Sequence, residues 1–284
     1  MPIREKGYYN WDGELKISRF KWLPMFRNGI KSVYKKKWSK FLFFIPLSYT
    51  LFFLAVIYVS SRPELKMFTR MVKEIEDTNY MLDIFYTFEG ILLFFIMLIG
   101  IFAGAELISN DMKFKSFTLY LSRPLSKLDY IKGKFSIILF YLLVFTLIPG
   151  FLLLLFKLIF LGVDTVPFRA LAGVLLYSIL ISFFLSALCI MFSSLSANSR
   201  LVKIVIFIVY IMSNSVAQIL YNIFRARELL HLSIYENIDR FAGLLFGTHG
   251  SGFYKEGFIS GIILLALTLI FVGIVTTRIK RVEV

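Results

Sequence analysis

The stretch ELISNDMKFKSFTLYLSRPLSKLDYIKGK, residues 106–134, is a basic connection between two long apolar runs. Six of its residues are Lys or Arg, although 58% of the whole chain is hydrophobic. Basic loops are poorly translocated across a membrane, so a cationic segment between apolar runs fixes the direction in which those runs span it. The stretch therefore predicts a chain of membrane helices with this connection on the cytoplasmic side.

Within this connection the residue pattern predicts a defined shape. Apolar side chains share one helical face of MKFKSFTLYL (112–121), which indicates a short helix along the membrane surface. The segment SRP (122–124) ends that helix, because the residue before a proline avoids helical geometry. Ser126 and Asp129 then match a capping box at the start of the next helix, which runs into the following apolar run.

Six apolar runs are long enough to cross a hydrocarbon core of about 30 Å, which takes about 20 helical residues. The runs lie near 41–60, 84–105, 135–161, 171–193, 201–221 and 257–277. The predicted fold is an all-α membrane protein, with residues 1–40 as a polar arm and residues 41–284 as a six-span transmembrane domain. In the external connection 222–256, ELLHLSIYENIDRFAGLLF predicts one or two amphipathic helices.

The distribution of positive charge predicts that both termini are cytoplasmic. Of the 32 Lys and Arg residues, 22 lie in the N-terminal arm, the 106–134 connection, the 194–203 connection and the C-terminal tail. The alternate connections hold nine. Cytoplasmic loops carry such an excess, so topology explains the formal charge of +14 and a nucleic-acid partner is not expected.

The segment PMFRNGIKSVYKKKWSKF, residues 24–41, predicts an amphipathic helix with Pro24 in its first turn. Its apolar and basic side chains follow helical spacing on separate faces: Phe26, Ile30, Val33 and Phe41 on one, Arg27, Lys31 and Lys35 on the other. We expect this helix to lie in the cytoplasmic interface, with Trp22 and Trp38 at headgroup depth and its cations facing anionic lipid. The alternative is an ordinary positive flank that orients the first span.

Polar groups within the spans are the candidate pathway residues. Glu89 and Lys157 lie roughly 9 to 11 Å inside the outer flanks of neighbouring spans, so they are predicted to pair or to line a pathway. Lys157 can alternatively snorkel along its long stem. Tyr210, Asn214 and Gln218 follow i, i+4, i+8 spacing, which fits either a polar stripe on a pathway or hydrogen bonds between helices.

Small residues recur at helical spacing in three places and predict close helix packing. They are Ser178, Ser182 and Ser186, the pair Gly100 and Gly104, and the pair Gly257 and Gly261.

The 106–134 connection resembles a loop in the membrane subunits of ABC-2 type ABC transporters. The shared features are Glu106, Asp111, the run LYLSRPLSK (119–127) and a closing Gly133-Lys134. The arm at residues 8–38 is similar to that of a bacterial and archaeal branch of the family. The family commonly has Gly-Thr before the leucine-rich run, whereas this chain has Lys115-Ser116.

The resemblance implies the architecture of a type V exporter in the cell membrane, in which the connection docks on a separate ATPase. Two ATPase copies holding ATP and Mg would drive two permease copies, most simply a homodimer in the bilayer. The residues implied at this coupling site are Glu106, Asp111, Lys113, Phe114, Lys115, Phe117, Ser122, Arg123, Pro124 and Lys134. The chain lacks a P-loop of its own and has only two histidines, so it is expected to be no enzyme and to bind no cofactor or metal.

Other function classes remain open at this stage. A secondary transporter driven by an ion gradient tends to show internal repeats and broken helices at the midplane, and no repeat is evident. An intramembrane enzyme needs convergent acid, base or metal groups at one depth. A non-transporting membrane anchor for an ATPase fits the same residues, and no motif indicates a transported substrate.

Overall fold

The computed structural model describes residues 20–60, 62, 78–116, 120, 125–161, 168–248 and 254–280, and these residues are helical apart from short turns. The helices are α1 (Leu23–Tyr34), α2 (Lys37–Ser60), α3 (Thr78–Lys113), α4 (Lys127–Leu161), α5 (Phe168–Leu195), α6 (Ser199–Phe224), a 3₁₀ helix (Arg227–Leu232), α7 (Ile234–Phe246) and α8 (Tyr254–Lys280). Helices α2 to α6 and α8 are long and apolar enough to cross a membrane, which confirms the six predicted spanning helices.

The spanning helices extend beyond the predicted apolar runs. Helix α3 continues to Lys113 and α4 begins at Lys127, whereas the corresponding runs end near 105 and begin near 135. Hydropathy marks where apolar side chains stop, but backbone hydrogen bonds carry a helix on into polar residues. Glu106 and Asp111 consequently lie on the last turns of α3 and not in a loop after it.

The single helix predicted over residues 24–41 is wrong, because the structure has two helices there. Helix α1 ends at Tyr34 and α2 begins at Lys37. Phe41 therefore lies on α2, where it is exposed, and not on the apolar face of α1. Phe41 falls at the helical spacing set by the apolar residues of α1, so the apolar pattern alone does not reveal the break between the two helices. Pro24 lies in the first turn of α1, as predicted.

The apolar face of α1 packs against α4. Val33 is buried, and the ring of Phe26 lies edge-on to that of Phe140 with 5.8 Å between centroids. Tyr141 donates its hydroxyl hydrogen bond to the carbonyl of Ile30 at 2.7 Å. The helix predicted to lie in the interface thus packs on the bundle, with its apolar face toward the protein. Its predicted basic residues remain exposed.

Helix α5 is the central helix of the bundle. In its most apolar window 72% of the residues are buried, compared with 11% for α6. Gly100 and Gly104 of α3 face Cys189 of α5, and a side chain at position 104 would begin 2.7 Å from the Cβ of Cys189. The predicted close packing is confirmed, because the helices approach too closely there for a larger residue. Packing also buries Ser178, Ser182 and Ser186, and brings Gly257 and Gly261 of α8 against α7.

Helix α7 is fixed to several spanning helices at the end of the bundle opposite α1. Arg169 of α5 donates to the last carbonyls of α7 at 2.7 and 2.9 Å. Tyr86 of α3 donates to Asp239, and Arg240 pairs with Glu256 of α8 at 2.9 Å. The amphipathic segment predicted within residues 222–256 is therefore a helix held by charge and hydrogen bonds.

Helix α3 ends in a left-handed turn that this chain builds without glycine. The N–H of Lys115 bonds to the carbonyl of Met112 at 3.3 Å, and that of Ser116 to the carbonyl of Asp111 at 2.9 Å, which together form a Schellman motif. Lys115 has a φ of 53°, a conformation in which a Cβ is crowded. Lys115 therefore occupies a strained position that glycine would adopt freely, at a cost of about 1 to 2 kcal/mol.

Replacing Lys115 with Gly is expected to raise the thermal unfolding midpoint of the purified protein by about 3 °C, because glycine adopts this conformation without strain. The matched control is Lys132→Gly, on an exposed face of α4. Glycine within a helix destabilises by about 1 kcal/mol, so the control is expected to lower the midpoint. A lower unfolding midpoint for both variants than for the wild type would contradict strain at Lys115.

Candidate functional site

One end of the bundle, called the basic end below, gathers the α1–α2 junction, the ends of α3, α5 and α8, and the starts of α4 and α6. Lys127 at the start of α4 donates to the carbonyl of Lys280 on α8 at 3.0 Å. Arg278 of α8 donates to the carbonyl of Leu195 at the end of α5 at 3.2 Å. With the ion pair of Lys36 and Glu106, these contacts bring together the four segments that the sequence marks as basic.

Glu106 is the centre of an ion-pair cluster at the basic end. Its two carboxylate oxygens pair with Lys36, between α1 and α2, and with Lys203, near the start of α6. The Nζ of Lys203 also lies 4.9 Å from the ring centroid of Phe102, one turn earlier on α3. One carboxylate thus ties α3 to segments 70 residues before it and 97 residues after it.

Asp111 forms a second cluster, between α3 and α4. Its Oδ2 accepts a hydrogen bond from the hydroxyl of Tyr130 at 2.5 Å and pairs with the Nζ of Lys134 at 2.7 Å. Lys134 also donates to the carbonyl of Leu107 at 2.9 Å. Both charged side chains are buried, so the countercharge and these hydrogen bonds make their burial tolerable. The two helices that flank the connection are locked together by this cluster.

Tyr120 anchors the connection to the Asp111 cluster. Its ring centroid lies 5.6 Å from that of Tyr130 and 5.4 Å from the Nζ of Lys134. Burial, together with the charge of Asp111, raises the pKa of the Tyr120 hydroxyl. The phenol is therefore neutral at physiological pH, and the contact with the ammonium is a cation–π interaction.

The capping box predicted at the start of α4 is confirmed. The N–H of Asp129 donates to the Oγ of Ser126 at 3.0 Å, and the Ser126 hydroxyl donates to the Asp129 carboxylate at 2.7 Å. The N–H of Ser126 also points to that carboxylate, at 3.4 Å. The connection consequently enters α4 through a fixed turn.

A cavity of about 310 Å³ lies between α1, α3 and α4 at the basic end. Both acid clusters line it, together with the side chains of Asn28 and Asn110. Neither of these amides hydrogen-bonds to another described residue, so both are available to a partner. The recess can therefore receive polar groups next to the end of α3.

The residues implied for coupling divide into three groups. The charges of Glu106, Asp111 and Lys134 are satisfied within the chain, so these residues brace the helices. Lys113, Phe114 and Lys115 are exposed at the end of α3, Phe114 with 69% of its surface accessible. The remaining four, Phe117, Ser122, Arg123 and Pro124, lie outside the described residues. The short helix predicted over residues 112–121 is wrong at its start, because residues 112 and 113 belong to α3 and residues 114–116 form the turn that ends it.

The partners of the two acids are not evident from the sequence. Lys36 lies in a run of three lysines, and Lys203 and Tyr130 have no distinguishing neighbours. The sequence indicates only that an acid at the end of an apolar run needs a countercharge. That signal predicts a partner but does not choose among the many lysines.

Glu89 and Lys157 are both buried, with 0% and 1% of their surface exposed, but they do not pair. Within the described ranges, the carboxyl oxygens of Glu89 and the Nζ of Lys157 have no hydrogen-bond partner. The predicted ion pair is therefore wrong for this structure, because similar depth on neighbouring helices does not make two side chains face each other. Lys157 does not snorkel either, since its Nζ is enclosed by the chain. That either residue lines a pathway stays a prediction.

The polar stripe on α6 hydrogen-bonds to the start of α7. Asn214 accepts from the hydroxyl of Ser233 at 3.2 Å, and Gln218 donates to Glu236 at 2.8 Å. Tyr210, the third member, is half-buried. Of the two interpretations of this stripe, the observed bonds favour contacts between helices.

Six long apolar helices, joined by ion pairs at the basic end, define a polytopic α-helical membrane protein. Residues 30–284 match the sequence profile of the family described as ABC-2 family transporter protein. The match includes the 106–134 connection and covers most of the chain, so the chain belongs to this family and the resemblance is confirmed. Permeases of this family are typically non-catalytic membrane subunits that associate with an ABC ATPase. No curated protein shows a significant match to the chain.

Replacing Glu106 with Gln is expected to lower the free energy of unfolding by about 1 to 3 kcal/mol, because two lysines lose their shared countercharge. Thermal unfolding of the purified protein in detergent measures the effect. The matched control is Glu228→Gln, at an exposed acid, which is expected to change stability by less than about 0.5 kcal/mol. Equal midpoints for the two variants would show that the cluster does not brace the bundle.

Proposed function

We propose that this chain is the permease subunit of an ATP-driven exporter, coupled through residues 106–134 to a separate ATPase that holds ATP and Mg. The observation that carries the proposal is the cluster of Asp111, Lys134 and Tyr130. It joins the two helices that flank the connection, so a displacement of the connection reaches α3 and α4 together. Such a linkage is what an ATPase outside the membrane needs in order to move helices within it.

The surface offered to the ATPase is the end of α3 together with the adjoining cavity. Phe114 is exposed, and the Nζ of Lys113 lies 5.4 Å from its ring centroid. An exposed aromatic ring beside cations and a polar recess has the composition of an interface centre. Glu106 and Asp111 support this surface from behind and do not form it.

Both termini and the basic end are placed in the cytoplasm in this proposal. The support is the excess of Lys and Arg at this end, together with the even number of spans. Two permease copies, most simply identical, would assemble with two ATPase copies in the cell membrane. Helix α6, the least buried spanning helix, has surface available to lipid or to a second copy.

Replacing Phe114 with Ala is expected to reduce the amount of ATPase that copurifies with the chain by about tenfold or more, because burying an aromatic side chain contributes about 1.5 to 3 kcal/mol. The matched control is Phe168→Ala, at the opposite end of the bundle, where Phe168 is 82% exposed. The chain is purified from its native membranes, and the bound ATPase is identified by its P-loop and its ATP hydrolysis. Equal recovery with both variants would contradict docking at the end of α3.

Single cysteines test the orientation. Lys115→Cys at the basic end is expected to react with a membrane-impermeant maleimide only after the cells are opened, whereas Glu228→Cys, beyond α6, is expected to react in intact cells. Cys189, the one cysteine of the sequence, is buried and gives little background. Labelling of Lys115→Cys in intact cells would invert the topology and remove the proposed coupling site.

A further inference from the structure

Glu89 is an acidic side chain enclosed by the bundle. None of its surface is exposed, and neither carboxyl oxygen has a hydrogen bond to any residue that the structure describes. The acids at the basic end, Glu106 and Asp111, have cations and hydrogen bonds that Glu89 lacks. The burial of Glu89 is therefore not explained by a countercharge, as it is for Glu106 and Asp111.

The carboxyl of Glu89 lies against bare backbone of α4. A Cβ placed on Gly150 would come 3.0 Å from the Oε1 of Glu89 and 2.6 Å from the Cγ1 of Val174 on α5. Gly150 follows Pro149, which removes a backbone hydrogen bond from α4 at the same level. The three helices meet so closely here that position 150 has no room for a side chain.

The neighbouring titratable groups supply no countercharge. Tyr49 of α2 and Tyr177 of α5 are the phenols near Glu89, and the hydroxyl of Tyr49 is itself buried without a hydrogen bond to a described residue. On α4, Lys157 makes no ion pair with Glu89. The titratable groups near Tyr177 on α6 and α7 are Tyr210, Tyr235 and Asp239, and none of them is a cation.

We propose that Glu89 is a proton-binding site, protonated when α3, α4 and α5 are packed as in this structure and deprotonated when they separate. An ionised carboxylate without hydrogen bonds or a countercharge is strongly disfavoured in a protein interior. On separation, water reaches the carboxyl, the O–H bond breaks, and the proton leaves to water without any change of oxidation state. A metal ion is a poorer ligand here, because a single carboxylate supplies too few oxygens.

Binding of the proton follows from the packing alone, whereas its role in a transport cycle rests on the proposed function. If α3 and α4 move when ATP is hydrolysed, proton release and uptake at Glu89 accompany that movement. Transport by such a complex would then depend on pH through the permease as well as through the ATPase.

Infrared spectra of the purified full-length protein in lipid nanodiscs test the proposal directly. The wild-type protein is expected to show the C=O stretching band of a protonated carboxylic acid at and above neutral pH. Glu89→Gln is expected to lose that band, and the control Glu228→Gln is expected to keep it. Identical carbonyl regions for the wild type and Glu89→Gln would overturn the proposal. If Glu89→Gln does not fold, absence of the band from the wild-type spectrum above neutral pH would overturn it equally.

Thermal unfolding as a function of pH separates proton binding from simple packing. The folded protein keeps a proton that the unfolded chain releases, so raising the pH above the ordinary range of a Glu side chain lowers stability. The wild-type midpoint is expected to fall by roughly 3 °C per pH unit relative to that of Glu89→Gln. Parallel pH profiles would show that Glu89 is a packing residue only. Both measurements use the permease alone, so their failure would leave the ATPase coupling untouched.

Discussion

The structure depends on how the acids of α3 are neutralised. A carboxylate removed from water needs a countercharge or hydrogen bonds. Glu106 and Asp111 obtain them from Lys36, Lys203 and Lys134, which belong to three other segments. Two acids on one helix therefore determine where the α1–α2 junction, α4 and α6 lie relative to α3 at the basic end.

Helix α3 also reaches the opposite end of the bundle, where Tyr86 bonds to Asp239 of α7. Its 36 residues make a rod of about 54 Å without a proline. Between the two ends it is wedged against α5 at Gly100 and Gly104, so it has little freedom to bend or slide alone. If an ATPase docks at the basic end as proposed, its displacement would be carried along α3 to the helix that covers the other end.

Some of these features can be predicted from the sequence, and others cannot. The span number, the capping box of Ser126 and Asp129, and the packing at Gly100 and Gly104 follow from short-range patterns that each have one structural solution. The break after α1 and the pairing of Glu106 do not, because several arrangements satisfy the same spacing and charge. Glu89 shows the limit most clearly, since depth in the membrane is readable from sequence but the direction in which a side chain points is not.

Position 104 limits how this chain can vary over evolutionary time. A methyl group there would begin 2.7 Å from the Cβ of Cys189 and 2.8 Å from the Cδ1 of Ile138, so even alanine would push three helices apart. For Gly90 and Gly273, the part of the chain that the structure describes places no atom of another helix within 4 Å of an added Cβ. Substitutions can therefore accumulate by drift at those two glycines. A lineage that loses the glycine at position 104 must first widen the spacing between α3 and α5.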